Sequence, residues 1–257
     1  MTRVAVIGAA GRMGREVVCA VLEDDSFELA GGVVEPHAPQ LDADLGELCG
    51  WGRAGVVATE NPPDDAAALI EFTTPEATVE HLAYGRPVVI GTTGLSDEQL
   101  ARVEEAAKVV PVVLAPNMSV GVTLIREVVR ELSQKLGPDY DVEIVEAHHR
   151  NKVDAPSGTA LLLARAAAEG RNMDLDEVAV YGREGRAPRG KGEIGIHALR
   201  GGAVVGEHRV IFYGPGEEVE VTHRALSRRT FASGSLRAAR FVVGAPPGLY
   251  SMRDVLG

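Results

Sequence analysis

Cysteine is almost absent, with Cys19 and Cys49 the only two in 257 residues. Two thiols without CxxC spacing or a cysteine cluster exclude a disulfide framework and point to a reducing compartment. Cys19 lies in the apolar helical run VVCAVL and is expected to pack in a core. Positive charge is also short: 26 Lys and Arg stand against 37 Asp and Glu, a net charge of −11. A nucleic-acid or anionic-membrane surface calls for the opposite balance, so neither partner is expected. No apolar run approaches the roughly 20 residues of a membrane span. The opening MTRVAVIGAAG holds too short an apolar stretch for a signal peptide. These shortages together favour a cytoplasmic protein.

What is present is ordinary globular material, 45% hydrophobic and 25% charged, enough for one large core or two modest ones. Through the first half, strand and helix signals alternate. RVAVI (3–7), FELAGGVVE (27–35), ALIEF (68–72), RPVVIG (86–91) and PVVLAPN (111–117) read as strands, and residues 41–60 read as loop. Ser96 and Gln99 have capping-box spacing ahead of a helix to about residue 109. Strands separated by helices at this interval imply a doubly wound parallel sheet of Rossmann type. After Asn117 the texture changes to a long helix, the alternating strand YDVEIVEA, a second helix ALLLARAAAEG, and several strands without helices between them. Two of those strands meet at Gly201-Gly202, which signals a hairpin. REGRAPRGKG (183–192) reads as a solvated, mobile basic turn, and 233–243 as a final helix packing back on the first domain. The expected organisation is a dinucleotide-binding domain over 1–118, completed by 230–257. An α+β domain over 119–229, with a mixed and largely antiparallel sheet, is expected to follow as a second domain of different architecture.

GAAGRMG follows a strand and opens a helix, with Gly8, Gly11 and Gly14 placed for a tight turn, backbone approach to a pyrophosphate, and helix–strand packing. The helix start presents N–H groups and the positive dipole end to phosphate. Glu35 ends the next strand about 20 residues on, where a carboxylate accepts from both ribose hydroxyls and repels a 2′-phosphate. Pro36 follows it and offers no guanidinium, so NADH is expected over NADPH, unless Arg12 or Arg53 reaches in. GTTG at 91–94 and APNM at 115–118 belong at the carboxyl ends of strands, suited to a nicotinamide ring and its ribose.

The densest chemistry is EAHHRNKVDAPSGTAL (146–161), where His148, His149, Arg150 and Lys152 crowd together in an acidic chain. A metal site would need further ligands, and no HExxH or cysteine cluster supplies them. A solvated charged edge is the plain alternative. An anion pocket accounts for more: Asp154 or Ser157 can cap a helix, Pro156 suits its first turn, and the N–H groups of Gly158 and Thr159 then face a carboxylate. Lys152 and a histidine add charge-assisted hydrogen bonds. The ligand expected is a small carboxylate with more than one negative charge. A dinucleotide at one end and this clamp at the other describe a reductase with a histidine proton donor. His37, His81, His197, His208 and His223 stand alone, with structural or surface roles as the default.

GAAGRMG, FTTPEAT, GTTG, APNMSVGV, EAHHRNKVDAPSGTAL, GEHRVIF, THRALSRRTFASG and MRDVL occur in this order, and with them the chain closely resembles the 4-hydroxy-tetrahydrodipicolinate reductase (dihydrodipicolinate reductase) family, from residue 3 to 256. The resemblance implies nicotinamide-dependent reduction of a cyclic imine dicarboxylate to tetrahydrodipicolinate, in the diaminopimelate–lysine pathway. It also implies a homotetramer assembled through the sheets of the second domain. By matching motif it makes His148 the acid/base and Lys152 the second proton donor or charge stabiliser, and leaves open which delivers the proton. His149, Gly158 and Thr159 hold substrate carboxylates. Gly8, Ala9, Ala10, Gly11, Arg12, Met13, Glu35, Gly91, Thr92, Thr93, Ala115, Pro116, Asn117 and Met118 line the cofactor. Pro36 departs from relatives that place arginine after the acid, and HLAYGRPVV is a few residues short. A semialdehyde dehydrogenase on the same scaffold would need a cysteine nucleophile, for which Cys49 has no context. A dinucleotide-sensing regulator would have no need of Lys152 or the Gly158–Thr159 clamp.

Overall fold

Short β-branched runs alternate with amphipathic ones over the first part of the chain, and the backbone follows that rhythm. In the computed structural model, which describes residues 1–257, the order is β1 (Thr2–Ile7), α1 (Arg12–Glu23), β2 (Phe27–Val33), α2 (Leu45–Cys49), β3 (Ala58–Thr59), β4 (Ala68–Glu71), α3 (Pro75–His81), β5 (Val88–Ile90), α4 (Asp97–Ala107) and β6 (Pro111–Leu114). Local chemistry sets the helix ends. The Thr74 hydroxyl accepts from Ala77 N, with Pro75 in the first turn of α3. Ser96 and Gln99 form the reciprocal capping box of α4. The stretch read as loop holds α2 and β3. There the Asp44 carboxylate accepts from the backbones of Gly46, Glu47, Ala54 and Gly55. Elements of five and two residues are too short for periodicity to reveal.

From Val120 the pattern changes. Next come α5 (Val120–Leu136), β7 (Asp141–His148), α6 (Gly158–Gly170), α7 (Leu175–Val178), β8 (Ala179–Tyr181), β9 (Ile194–Arg200), β10 (Gly206–Tyr213) and β11 (Glu218–Ala225). Their sheet runs β11-β10-β7-β9-β8. It is mixed, as expected, but evenly divided: β10 is antiparallel to β7 and β11, while β9 is parallel to β7 and β8. The hairpin at Gly201-Gly202 does not form. β9 and β10 flank β7 instead of each other, because β7 carries the buried alternation Val142, Ile144, Glu146, His148 and takes the centre. The two glycines cross the end of β7, where Gly201 N–H donates to His148 O (2.9 Å) and Gly202 O accepts from Arg150 N–H (3.3 Å). The basic turn is not simply solvated. Arg183 pairs with Glu193 at 2.5 Å, and Arg189 holds Asp141 at 3.0 Å and also Glu143.

The chain ends in α8 (Arg229–Gly244), β12 (Gly248–Tyr250) and α9 (Met252–Leu256). The expected last helix is therefore followed by a strand, which joins β6 and completes a seven-stranded parallel sheet, β12-β6-β5-β4-β1-β2-β3. Strand alternation divides the core into two layers. Val4, Val6, Ile70 and Val113 pack with Val17 and Val21 of α1 and Leu236 of α8; Ala5, Ile7, Leu69 and Val112 pack with Val103 of α4. Each such Val, Leu or Ile contributes roughly 1.5–3 kcal/mol on burial. Cys19 is half-buried on α1; its thiol donates to Cys49 O at 3.2 Å, and burial pushes it up to about 12. Met1–Val120 with Arg228–Gly257 forms one unit and Gly121–Ser227 the other. No helix is long and apolar enough to cross a membrane.

Candidate active site

In the first unit, the loop after β1 is shaped by what its glycines lack. Gly8 has φ +80°, and a Cβ there would strike the Phe72 carbonyl. A Cβ on Gly14 would fall on the Gly8 carbonyl, so α1 packs against the loop with no room for a methyl. The N–H groups of Gly8 and Ala9 both donate to Val33 O (3.0 Å each), tying the loop to the end of β2. Gly11 caps α1 without a side-chain hydrogen bond, and the first turn holds no acid. The opening N–H groups are thus left for an outside anion.

This loop opens on a cleft of about 700 Å³, to which Gly8, Ala10, Gly11, Glu35 and Pro36 contribute. A cradle that a Cβ would fill, beside a carboxylate at the strand end, fits a dinucleotide. Of the other residues singled out in sequence, Ala9 and Met118 are buried to 1% exposure, which leaves only their backbones for a ligand. Arg12 and Met13 lie in the first turn of α1, outside the cleft lining, and Arg53 is outside it too. Gly91–Thr93 and Ala115–Met118 follow β5 and β6, at the same carboxyl edge of the sheet. The Thr92 hydroxyl accepts from Thr73 N (3.2 Å) and from the Thr78 hydroxyl (2.8 Å). The cleft also takes Glu60, Glu80, His81 and Tyr84. His81 is not solitary. Its Nδ1 lies 3.0 and 3.1 Å from the two oxygens of buried Glu71, and its ring stacks on Tyr84 at 5.5 Å. A glutamate ending the apolar run ALIE was the available signal, since buried carboxylates are paired.

In the second unit the site grows out of the core strand by strand. Cross-strand register sets Val142 beside Phe212 and Ile194, then Ile144 beside Val210 and Ile196. Two residues on, the same face turns polar: Glu146 stands beside His208, which faces His223, and His148 stands beside Arg200. Glu146 is fully buried. Its Oε1 accepts from Ser157 N (3.0 Å) and Arg200 Nη2 (2.8 Å), and its Oε2 from Arg200 Nη1 (2.8 Å). His148 Nδ1 lies 2.6 Å from the same Oε2, and an ionised carboxylate only accepts, so Nδ1 carries the hydrogen. Burial pushes Glu146 up, but the Arg200 fork and the His148 and Ser157 donors outweigh it and hold the carboxyl below its usual range. Burial also lowers the His148 imidazole, against the pull of Glu146.

Ser157, and not Asp154, caps α6, its hydroxyl accepting from Ala160 N at 3.1 Å. Pro156 precedes the cap, outside the first turn. The same hydroxyl lies 3.0 Å from His208 Nε2. Asp154 instead accepts from Lys152 Nζ at 2.8 Å. Gly158 and Thr159 open the helix, and His149 is half-buried after the strand end. His208 and His223 are not isolated: the His148, His208 and His223 rings follow one another at 5.2 and 6.5 Å. Single histidines on three strands could not be aligned without knowing the strand order. This end of the sheet offers an imidazole held at Nδ1 by Glu146, a lysine, and helix-opening donors within one short stretch. Such a set can bind carboxylates and move a proton.

Family models for the N-terminal and C-terminal parts of dihydrodipicolinate reductase match residues 2–118 and 121–256. The chain belongs to the dihydrodipicolinate reductase family. Within that family, a 4-hydroxy-tetrahydrodipicolinate reductase of Rubrobacter xylanophilus is 75% identical, over 100% of this chain and 98% of its own length. One from Chromohalobacter salexigens is 50% identical, over 100% and 99%. A solved dipicolinate-bound dihydrodipicolinate reductase from a Paenisporosarcina species superposes with a TM-score of 0.74 at 28% identity, covering 98% of this chain and 97% of that one.

Proposed function

We propose that the chain reduces 4-hydroxy-tetrahydrodipicolinate (dihydrodipicolinate) to tetrahydrodipicolinate with a nicotinamide cofactor, in diaminopimelate and lysine biosynthesis. The observation that carries this reading is the pairing of His148 with buried Glu146 at the strand end from which Lys152 and the start of α6 follow. The Gly158 and Thr159 amides, with His149 and Lys152, hold the two carboxylates of the ring. The bound cofactor supplies the hydride. His148 gives the proton from Nε2, and Lys152 stabilises charge or takes that role itself. Burial keeps His148 neutral in the free protein. A dianionic ring raises the affinity of the imidazole for a proton, so substrate binding loads the acid.

For the dinucleotide, Gly8, Ala10 and Gly11 and the opening of α1 take the pyrophosphate, with Ala9, Arg12 and Met13 in the same turn. Gly91, Thr92, Thr93, Ala115, Pro116, Asn117 and Met118 serve the nicotinamide half, mainly through backbone. NADH is the preferred donor. The cleft lining holds three carboxylates, Glu35, Glu60 and Glu80, and no lysine or arginine to neutralise a 2′-phosphate. As the family resemblance implies, the enzyme is a cytoplasmic homotetramer joined through the sheets of the second unit. Leu199 and Tyr213, exposed on β9 and β10, are consistent with that, and light scattering at four chain masses checks it.

A coupled assay tests the function. Pyruvate, aspartate semialdehyde and the synthase that joins them generate substrate in place, and oxidation of NADH and NADPH is followed separately. Turnover with NADH faster than with NADPH is expected; no turnover with either rejects the reading, and faster turnover with NADPH rejects the cofactor assignment.

A further inference from the structure

A fully buried carboxylate among apolar rows calls for a reason beyond stability. Glu146 continues the series Val142, Ile144 on the inward face of β7, where an apolar side chain would pack without desolvation cost. Its oxygens face no substrate space. Each accepts two hydrogen bonds, from Ser157 N, both Arg200 Nη atoms and His148 Nδ1, which uses the capacity of the group. Two of these partners are the working parts assigned above. Ser157 is the N-cap of α6, one residue before the Gly158–Thr159 clamp. His148 is the proposed proton donor. Arg200 grips Glu146 with both arms and donates also to Asp154 O at 2.6 Å, while the Asp154 carboxylate holds Lys152.

We propose that Glu146, clamped by Arg200, is a positioning residue that fixes the His148 tautomer with hydrogen on Nδ1 and the lone pair on Nε2 and, through Ser157 N–H, sets the carboxylate clamp relative to that nitrogen. The inference rests on the reductase reading for what the assembly does, but its geometry stands by itself. Glu146 touches neither substrate nor cofactor. Its charge favours the imidazolium that forms when the substrate arrives, and its rigid link places acid and clamp as one piece. A glutamine at this position cannot satisfy every partner. With its oxygen on His148, its NH₂ faces Ser157 N–H and Arg200, donor against donor; flipped, it donates to Nδ1 and forces the proton to Nε2.

The test uses the full chain and two variants, Glu146→Gln and the double variant Glu146→Gln with Arg200→Met, which removes both charges. Facing the imidazole are Glu146 on its own strand, Arg200 on β9, His208 on β10 with His223 beyond it on β11, and Lys152 with Asp154 from the following loop. Only the first two are altered. Glu146→Gln is expected to lower kcat about a hundredfold and shift the alkaline limb of the kcat profile to lower pH. NADH affinity, read by fluorescence, is expected to stay unchanged. The double variant is expected to recover thermal stability without recovering kcat. Long-range ¹H–¹⁵N spectra of His148 in the unaltered chain are expected to show hydrogen on Nδ1, and in Glu146→Gln a mixture or reversal. The proposal is overturned if Glu146→Gln keeps kcat within threefold, if the double variant restores kcat with stability, or if His148 in the unaltered chain is the Nε2–H tautomer. Where neither variant folds, that last spectrum decides. Absence of reductase activity in the unaltered chain would reject the functional reading and leave the tautomer result standing.

Discussion

The two units offer an anion opposite means of binding. The first shapes its cleft from missing atoms: Gly8 and Gly14 leave out side chains, the helix start beyond Gly11 keeps its N–H groups unclaimed, and no lysine or arginine lines the cleft. The second builds from side chains, with Lys152 and histidines beside a helix start and Arg200 spent on holding Glu146 rather than on a ligand. A backbone site has one geometry and is indifferent to pH. A site of imidazoles over a buried carboxylate can change its protonation when a charged ligand enters. The proposed proton-coupled hydride transfer would use both kinds, a fixed grip on the donor and a responsive grip on the acceptor.

Several experiments break or sharpen that contrast. The largest effect is expected from His148→Gln, which removes the proposed proton donor and lowers kcat by about 10²–10⁴-fold; dipicolinate affinity, by calorimetry, changes far less. Gly14→Ala drives a methyl into the Gly8 carbonyl. It is expected to cost about 3 kcal/mol of overpacking, or about a hundredfold in NADH affinity by fluorescence titration. Lys152→Met removes a charge-assisted contact worth roughly 1.5–3 kcal/mol, so KM for the dicarboxylate rises tenfold or more with a smaller change in kcat.

A fourth experiment separates the units by pH. Burial, and then the neighbouring His148, depress His208 from 6.5 to about 3. Because the folded state resists protonation, the unfolded chain gains the proton first as pH falls. Stability is complete above pH 6.5 and declines through the window down to about 3. At pH 5 His208 alone accounts for a loss of about 2 kcal/mol. Denaturant melts at pH 7 and 5 are expected to differ by less in His208→Gln. The smallest effect belongs to Glu35→Ala, which relieves repulsion of a 2′-phosphate and shifts the NADPH-to-NADH ratio of kcat/KM about tenfold, roughly 1.4 kcal/mol.

What was legible in the sequence follows the same division. The glycine loop, Glu35, the capping box at Ser96 and the rhythm of strands and helices are local signals, each written within a few residues. The seventh strand β12 and the short α2 were missed because three to five residues carry too little periodicity. In the second unit, the segment 146–161 announced its chemistry, but not which members face one another. In the sequence Glu146 reads only as part of a strand, and His208 and His223 as isolated, because their meaning depends on β7 lying between β9 and β10. The glycine pair at 201–202 argued for the wrong neighbour, since turn chemistry says where a chain bends and not what it bends around.

One strand, β7, carries hydrophobic contacts at Val142 and Ile144 and the polar machinery at Glu146 and His148, all on one side. A slip of a single residue would expose the first pair as surely as it would misdirect the second. A register error in this half of the molecule is thereby bound to visible misfolding, because any slip that turned Glu146 and His148 away would bring Val142 and Ile144 out into water.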